Sequence, residues 1–313
     1  MTVLVTGANG FVGRWVGKAL LAKGHSVVGA SGPAVAGTMT DAERASVRWL
    51  PLDLLDQASV RRVAEDRYDA VIHLAGLASG GDALRDPGAA WMVNAAGTAR
   101  LLDELGRRKV AGGIDPIVIV ASTAEVYGKS DRALVESDAI APCSPYAASK
   151  RGAELAAQET ARRTGLRVIV ARAFPHTGPG QDTRFVAPAF AERLRTAKRI
   201  GARCVNVGNL EVTRDFLDVR DVADAYVALM ERGVAGEIYN VASGTGTTLQ
   251  ELFERIAKVV GIEAIPEADT TLLRPADLPY LVGNPAKLRG ATGWAPKTSL
   301  DDTLKDLVHA QTV

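Results

Sequence analysis

The apolar positions near the amino terminus change their spacing within a few residues. Thr2–Val5 is a short β-branched and apolar run, the mark of a buried strand. Thr6 to Gly13 follows, small and glycine-bearing, and then Phe11, Val12, Trp15, Val16, Ala19 and Leu20 recur at helical spacing. The pattern predicts strand, glycine turn, helix. It repeats down the chain, with further strand-like runs at Ser26–Ala30, Val47–Leu52, Ala70–Leu74 and Ile117–Ala121. A long helix is expected within Asp86–Lys109 and another from Pro145, capped by Ser144, to about Thr164. Gly32–Thr40 is small and polar and reads as loop. Strands alternating with helices in this way predict an α/β fold built on a doubly wound parallel sheet.

The first turn carries glycines at 7, 10 and 13, spaced G-x-x-G-x-x-G. Gly7 permits a tight turn, Gly10 lets a pyrophosphate approach the backbone, and Gly13 lets the helix lie close on the strand. A helix N-terminus favours an anion, so the stretch predicts dinucleotide binding. The end of the second strand would meet the adenosine ribose. An acid there would favour NAD, whereas Ser31 and Gly32 stand in this chain, and Arg14 is a candidate phosphate partner. The expected cofactor is NADP(H) or NAD(H), with the missing acid favouring NADP. Asp53 and Leu54 follow the third strand, where an adenine would be held. Ala75 and Gly76 follow the fourth and are small enough to let a cofactor pass. His73, inside the fourth apolar run, reads as a core histidine.

Bulk properties remove several alternatives. Lys plus Arg is 37 and Asp plus Glu is 36 in 313 residues, so the net charge of +1 gives no electrostatic reason to expect nucleic acid or an anionic membrane as partner. No run is long and apolar enough to span a bilayer, and no secretion signal is evident, so a cytoplasmic protein is expected. Cys143 and Cys204 suggest no disulfide framework, and histidines 25, 73, 176 and 309 form no ligand motif, so no metal is expected.

The reactive groups come after the fifth strand. Ser122–Gly128 reads S-T-A-E-V-Y-G at the carboxyl end of that strand, where open α/β sheets place their sites. Ser144–Lys150 reads S-P-Y-A-A-S-K. Tyr146 and Lys150 are four apart and share a helix face. A lysine cation beside a tyrosine favours the phenolate and lowers its pKa, which suits the phenol to exchange a proton with a carbonyl or alcohol.

With T-G-A-N-G-F-V-G, D-L-L-D, V-I-H-L-A-G, N-A-A-G-T, S-T-A-E-V-Y-G and S-P-Y-A-A-S-K in this order, the chain resembles the extended short-chain dehydrogenases/reductases, the class acting on nucleotide sugars. The resemblance covers nearly the whole length. It implies a Rossmann sheet with a smaller carboxyl-terminal α/β substrate domain. The dinucleotide-binding domain would be 1–173 plus about 213–242, and the substrate domain about 174–212 plus 243–313. Thr123, Tyr146 and Lys150 would be the catalytic set: Thr123 hydrogen-bonding the sugar oxygen, Tyr146 exchanging the proton, and Lys150 holding the nicotinamide ribose. Gly7, Gly10, Phe11, Val12, Gly13, Arg14, Ser31, Asp53, Leu54, Leu74, Ala75, Gly76, Asn94 and Phe174 would join Tyr146 and Lys150 around the cofactor.

The stretches Arg172–Gln181, Val207–Asp221, Tyr239–Gly246 and Leu273–Trp294 narrow the resemblance to members acting on GDP-linked 4-keto-6-deoxyhexoses. They imply a GDP-sugar substrate, with Arg214 and Arg274 on the diphosphate. Phe185, Val186, Asn209 and Leu210 would hold the nucleotide. Pro175 departs from the pattern, since the class usually carries an asparagine there that donates to the substrate phosphate, and proline has no such donor. Rival activities within the class are 4-epimerisation and 4,6-dehydration. Ala124 stands where one dehydratase type has an acid, whereas Glu125 could serve another type as its base. A non-catalytic cofactor-binding sensor is the rival from outside enzymology. The long helices are expected to pair with those of a second copy in a homodimer.

Overall fold

The computed structural model describes residues 1–32, 39–272 and 278–310. Strands and helices alternate at first: β1 (Thr2–Thr6), α1 (Phe11–Ala22), β2 (Ser26–Ser31), α2 (Asp41–Ala45), β3 (Arg48–Pro51), α3 (Gln57–Ala64) and β4 (Ala70–His73). Two short helices, α4 (Gly80–Arg85) and α5 (Pro87–Ala90), lead through a π-helical segment, Trp91–Gly97, into α6 (Thr98–Val110). Then come β5 (Ile117–Thr123), a 3-10 turn (Ala124–Val126), α7 (Pro145–Thr164) and β6 (Arg167–Ala173). The next part comprises β7 (His176–Thr177), α8 (Val186–Ile200), β8 (Cys204–Val207), β9 (Thr213–Asp215), β10 (Leu217–Asp218), α9 (Val219–Arg232) and β11 (Ile238–Val241). The chain closes with β12 (Gly246–Thr248), α10 (Leu249–Val260), β13 (Ile265–Ala268), β14 (Tyr280–Leu281), α11 (Ala286–Thr292) and α12 (Leu300–His309).

Seven strands form one sheet in the order β11-β6-β5-β4-β1-β2-β3, and every pair is parallel. This is the doubly wound α/β fold expected. The strands read as continuous apolar runs because both faces are covered. Val3, Val5, Ile72, Ile119, Ile169 and Ala171 point towards α1 and α9, where Val16, Leu20, Val222, Tyr226 and Leu229 complete a core. The intervening Leu4, Val28, Val71, Val118, Val120, Val168 and Val170 pack with Val60, Val63, Leu101, Leu102 and Ala157 of α3, α6 and α7. Helices α8, α10 and α12 share a third core with β8, built on Phe190, Leu194, Leu252, Phe253, Ile256 and Leu304.

Two expectations needed adjustment. The fifth strand continues through Ser122 to Thr123, because both residues pair with β6 at Arg172 and Ala173. The long helix expected within 86–109 is present and continuous, but it changes its winding midway. Asp86 caps α5 by accepting from the Ala89 N–H at 2.9 Å, with Pro87 at the first helical position. The path then widens over Trp91–Gly97, a wide turn that often marks a functional site.

Candidate active site

The sheet order changes direction between β1 and β4, and their carboxyl ends open the crevice in which such folds bind ligands. Gly7, directly after β1, adopts φ +70°, and a Cβ there would lie 2.8 Å from the Ala75 nitrogen, just past β4. At Gly13 a Cβ would run into the Gly7 carbonyl and the Ala8 backbone. Helix α1 begins at Gly10 without a side-chain cap. At Gly76 a Cβ would stand 2.7 Å from Asn94 Oδ1 and 3.5 Å from Lys150 Nζ. These positions keep a cradle clear in front of an uncapped helix N-terminus, the arrangement a dinucleotide's pyrophosphate requires.

A directional hydrogen-bond chain supports the cradle. Ala75 N–H donates to Thr6 Oγ1 at 3.2 Å, and Thr6 Oγ1 lies 2.7 Å from His73 Nδ1. His73 Nε2 lies 3.0 Å from Thr98 Oγ1, whose own proton goes to the Asn94 carbonyl at 2.6 Å. Thr98 therefore accepts from Nε2–H, and Nδ1 accepts from Thr6. Burial, with the Lys150 charge nearby, holds the His73 pKa down at about 3, so the ring is neutral. His73 is a core histidine, as read from its apolar surroundings.

Thr123 ends β5 and caps the following turn by accepting from the Glu125 N–H at 3.3 Å. The phenol of Tyr146, in the first turn of α7, comes beside the Thr123 hydroxyl. Burial pushes the Tyr146 pKa up, the nearby Glu125 carboxylate adds to this, and the Thr123 hydroxyl opposes both. Lys150, one turn on, is buried and donates to the Ala121 carbonyl at 3.0 Å. Burial brings its pKa down to about 8, against the pull of Glu154. The Tyr146 pKa thus lies above the ordinary phenol value, where the sequence suggested a lysine-lowered one. The ammonium is engaged by the strand-end carbonyl, and desolvation keeps the phenol protonated.

The structure assembles Thr123, Glu125, Tyr146 and Lys150 at the end of β5, with Gly76 and Asn94 beside them. Around the first turn lie Gly7, Gly10, Phe11, Val12 and Gly13, and Ser31 ends β2. Leu74 continues from β4 by donating its N–H to the Thr6 carbonyl at 3.1 Å. Asp53 is exposed and accepts from the Leu55 N–H at 2.8 Å. Other expected cofactor residues also have partners within the chain. Arg14 is engaged by Glu43 at 2.9 and 3.0 Å. Leu54 is buried, filling the space beside Gly97. Asn94 accepts from the Leu77 N–H at 2.8 Å and donates to the Leu77 carbonyl at 3.0 Å and to Ser149 Oγ at 2.9 Å, tying the loop after β4 to α7. The Phe174 side chain is closed off altogether, its ring occupying the space that the missing side chain of Gly283 leaves.

Among the expected substrate residues, Phe185 stands just before α8 without capping it, and Val186 packs on its core. Asn209 turns back to accept from the Glu211 N–H at 3.0 Å, and Leu210 packs against the same core as Val186. Arg214 donates to the Thr213 and Leu278 carbonyls at 2.9 and 2.6 Å. Arg274 lies outside the described residues. His176 belongs to no ligand motif in the sequence, yet its ring stacks on Phe11 with centroids 6.3 Å apart and 4° between planes. Its Nδ1–H donates to the Phe174 carbonyl at 2.9 Å, and burial lowers its pKa, leaving Nε2 as an acceptor. The one signal was its position in the P-H-T-G-P-G stretch. Among the described residues there is no cluster able to hold a metal and no helix long and apolar enough to cross a membrane.

Comparison with known proteins agrees with this geometry. Residues 3–242 match the model of the NAD dependent epimerase/dehydratase family. A GDP-6-deoxy-D-mannose reductase of Pseudomonas aeruginosa is 34% identical over 98% of this chain and 95% of that protein. The solved structure of RMD from Pseudomonas aeruginosa complexed with NADPH covers 98% of this chain and 97% of its own at 33% identity, with a TM-score of 0.82. The Thermus thermophilus UDP-glucose 4-epimerase complex with NAD covers 98% of both chains at 31% identity and a TM-score of 0.86. With a parallel sheet, a glycine cradle at its crossover and a tyrosine and lysine at the fifth strand end, the chain belongs to the NAD-dependent epimerase/dehydratase family, and its cofactor is a nicotinamide dinucleotide.

Proposed function

We propose that the protein is a GDP-4-dehydro-6-deoxy-D-mannose reductase, converting GDP-4-keto-6-deoxy-D-mannose to GDP-D-rhamnose. The observation that carries this reading is the meeting of Thr123, Tyr146 and Lys150 at the end of β5, with Lys150 one turn along α7 and donating to the Ala121 carbonyl at 3.0 Å. The 34% identity to a GDP-6-deoxy-D-mannose reductase supports the choice of sugar. The bound reduced nicotinamide supplies the hydride for sugar C4. Tyr146, kept protonated by burial, gives its proton to the C4 oxygen, and Thr123 orients that oxygen. Lys150 holds the nicotinamide ribose, and the Gly7–Gly13 turn with α1 holds the pyrophosphate. The segments 174–212 and 243–313 form the substrate part, with Arg214 and Arg274 on the diphosphate and Phe185, Val186 and Asn209 around the nucleotide.

A second reading has one observation in its favour. Glu125 lies near enough to Tyr146 to raise its pKa, where a 4,6-dehydratase acting on GDP-mannose would use a base. Ala124, fully buried and apolar, offers no second acid. One assay separates the readings. A reductase consumes reduced cofactor in proportion to the 4-keto sugar supplied, whereas a dehydratase recycles it. Loss of nicotinamide absorbance with the keto sugar and NADPH is expected. Conversion of GDP-mannose without added reductant, and no reduction of the keto sugar, would overturn the proposal.

A further inference from the structure

Behind the strand end lies a buried charge cluster to which the reaction above assigns no role. Glu154 sits on α7 one turn beyond Lys150 and two beyond Tyr146, so all three share a helix face. It is 0% exposed. Arg172 of β6, itself 1% exposed, grips it through Nε at 2.8 Å and a terminal nitrogen at 2.9 Å. Arg151 adds a third contact at 2.7 Å, and Ser122 Oγ a fourth at 2.6 Å. Burial alone would neutralise the carboxyl, but these hydrogen bonds and the Arg172 charge win, and its pKa is lowered. Arg172 is locked in turn, stacking 4.7 Å over the Tyr127 ring and donating to the Glu136 carbonyl at 3.3 Å.

We propose that Glu154 is a positioning residue with two tasks: counter-charge for Lys150, and, through Ser122, anchor for the strand end that presents Thr123. The inference rests on the reductase reading for what Lys150 and Thr123 do, and on the geometry for how they are held. Ser122 immediately precedes Thr123 on β5, so the 2.6 Å bond to Glu154 sets that backbone against α7. Among the ionisable groups around Lys150, His73 of β4 is neutral, Tyr146 on α7 is protonated, and Arg151 and Arg172 are engaged on Glu154. Glu154, one turn away on the same face of α7, sets its charge against the burial that favours the neutral amine, with Arg151 and Arg172 offsetting part of it and Glu125 lying by Tyr146. The sign follows: removing this charge makes Lys150 lose its proton at lower pH.

The experiment follows the Lys150 Cε resonance by carbon-detected NMR in the full-length protein, assigned with Lys150→Arg. In the wild type the midpoint is expected near 8. Glu154→Gln keeps the shape and removes the charge, and should move the midpoint down by about one pH unit. The alkaline limb of turnover should move with it, and Glu154→Asp should restore both. If Glu154→Gln fails to fold because Arg172 is left unpaired, the double variant Glu154→Gln with Arg172→Met is read against Arg172→Met alone, so that the difference in midpoint reports the loss of the Glu154 charge. Ser122→Ala should leave the midpoint in place and lower kcat about tenfold with KM little changed. An unmoved midpoint in the folded Glu154 variants, with only a lower melting temperature, reduces Glu154 to a structural residue and overturns the counter-charge. Full kcat in Ser122→Ala overturns the anchor. If the wild type reduces no nucleotide sugar while the midpoint still shifts, the reductase reading falls and the counter-charge stands.

Discussion

At the scale of single residues, the site runs on protonation states that burial sets. Tyr146 is held protonated, so it is ready to donate; Tyr146→Phe should lower turnover by about two to four orders of magnitude with cofactor affinity nearly unchanged. Steady-state kinetics beside fluorescence titration of bound cofactor would check this. Lys150 loses its proton as pH rises through about 8, so a role that needs its charge is complete below that value and fades above it. The pH profile of kcat/KM should therefore fall on the alkaline side of about 8. Glu43 sits at the other end of the cofactor path. Burial alone would raise its pKa, but hydrogen bonds from Arg14, Lys18 and the Thr40 backbone hold it at about 2. Its carboxylate occupies Arg14, the candidate partner for a 2′-phosphate. Releasing that guanidinium with Glu43→Gln should improve kcat/KM for NADPH relative to NADH by a factor of roughly 10, about 1.4 kcal/mol of added phosphate interaction. An unchanged cofactor ratio would show that another group reads the ribose.

At the scale of elements, the parts legible in the sequence are those that local rules determine. Both faces of the sheet are buried, so the strands announce themselves as apolar runs. The glycines of the first turn are dictated by close approach of backbone to backbone. The Ser144–Pro145 start of α7 is a local cap, with Ser144 Oγ accepting from the Ala147 N–H at 3.1 Å. What stayed hidden depends on partners distant in sequence. Phe174 is apolar and follows a strand, as a cofactor contact would, but its ring is claimed by the space at Gly283, over a hundred residues away. Arg14 is claimed by Glu43, beyond the stretch left outside the described residues. The widened stretch of the 86–109 helix falls where Asn94 spends its side chain on Leu77 and Ser149. Asn94→Ala would leave the Leu77 N–H and carbonyl without these partners, and should destabilise the protein by about 1–3 kcal/mol in urea unfolding.

At the scale of the whole molecule, apolar side chains remain exposed where α4, the π-helical segment and α7 meet. Trp91, Met92, Leu84 and Leu155 are all exposed. Trp91 lies against Gly152, where a Cβ would stand 2.8 Å from its ring. We propose that this patch seats a second copy related by a two-fold axis, with α6 and α7 of each protomer in a four-helix bundle. Light scattering at micromolar concentration should give a dimer mass, and Leu155→Glu, which places a charge in the patch, should give a monomer. A monomer mass for the unaltered chain would remove the bundle.

The covering of the sheet's two faces has a consequence for how the chain is born. The face towards α3, α6 and α7 is closed by segments that all precede or overlap β6. The opposite face needs α9, which ends at Arg232, after the whole of α8 and β8 have been made. During synthesis at roughly 5–20 residues per second, Ile72, Ile119 and Ile169, which α1 does not cover, therefore wait several seconds for α9 on a sheet otherwise ready to form. That interval, set by the order of elements and by no single residue, is when the nascent chain is most exposed to aggregation and most in need of a holdase.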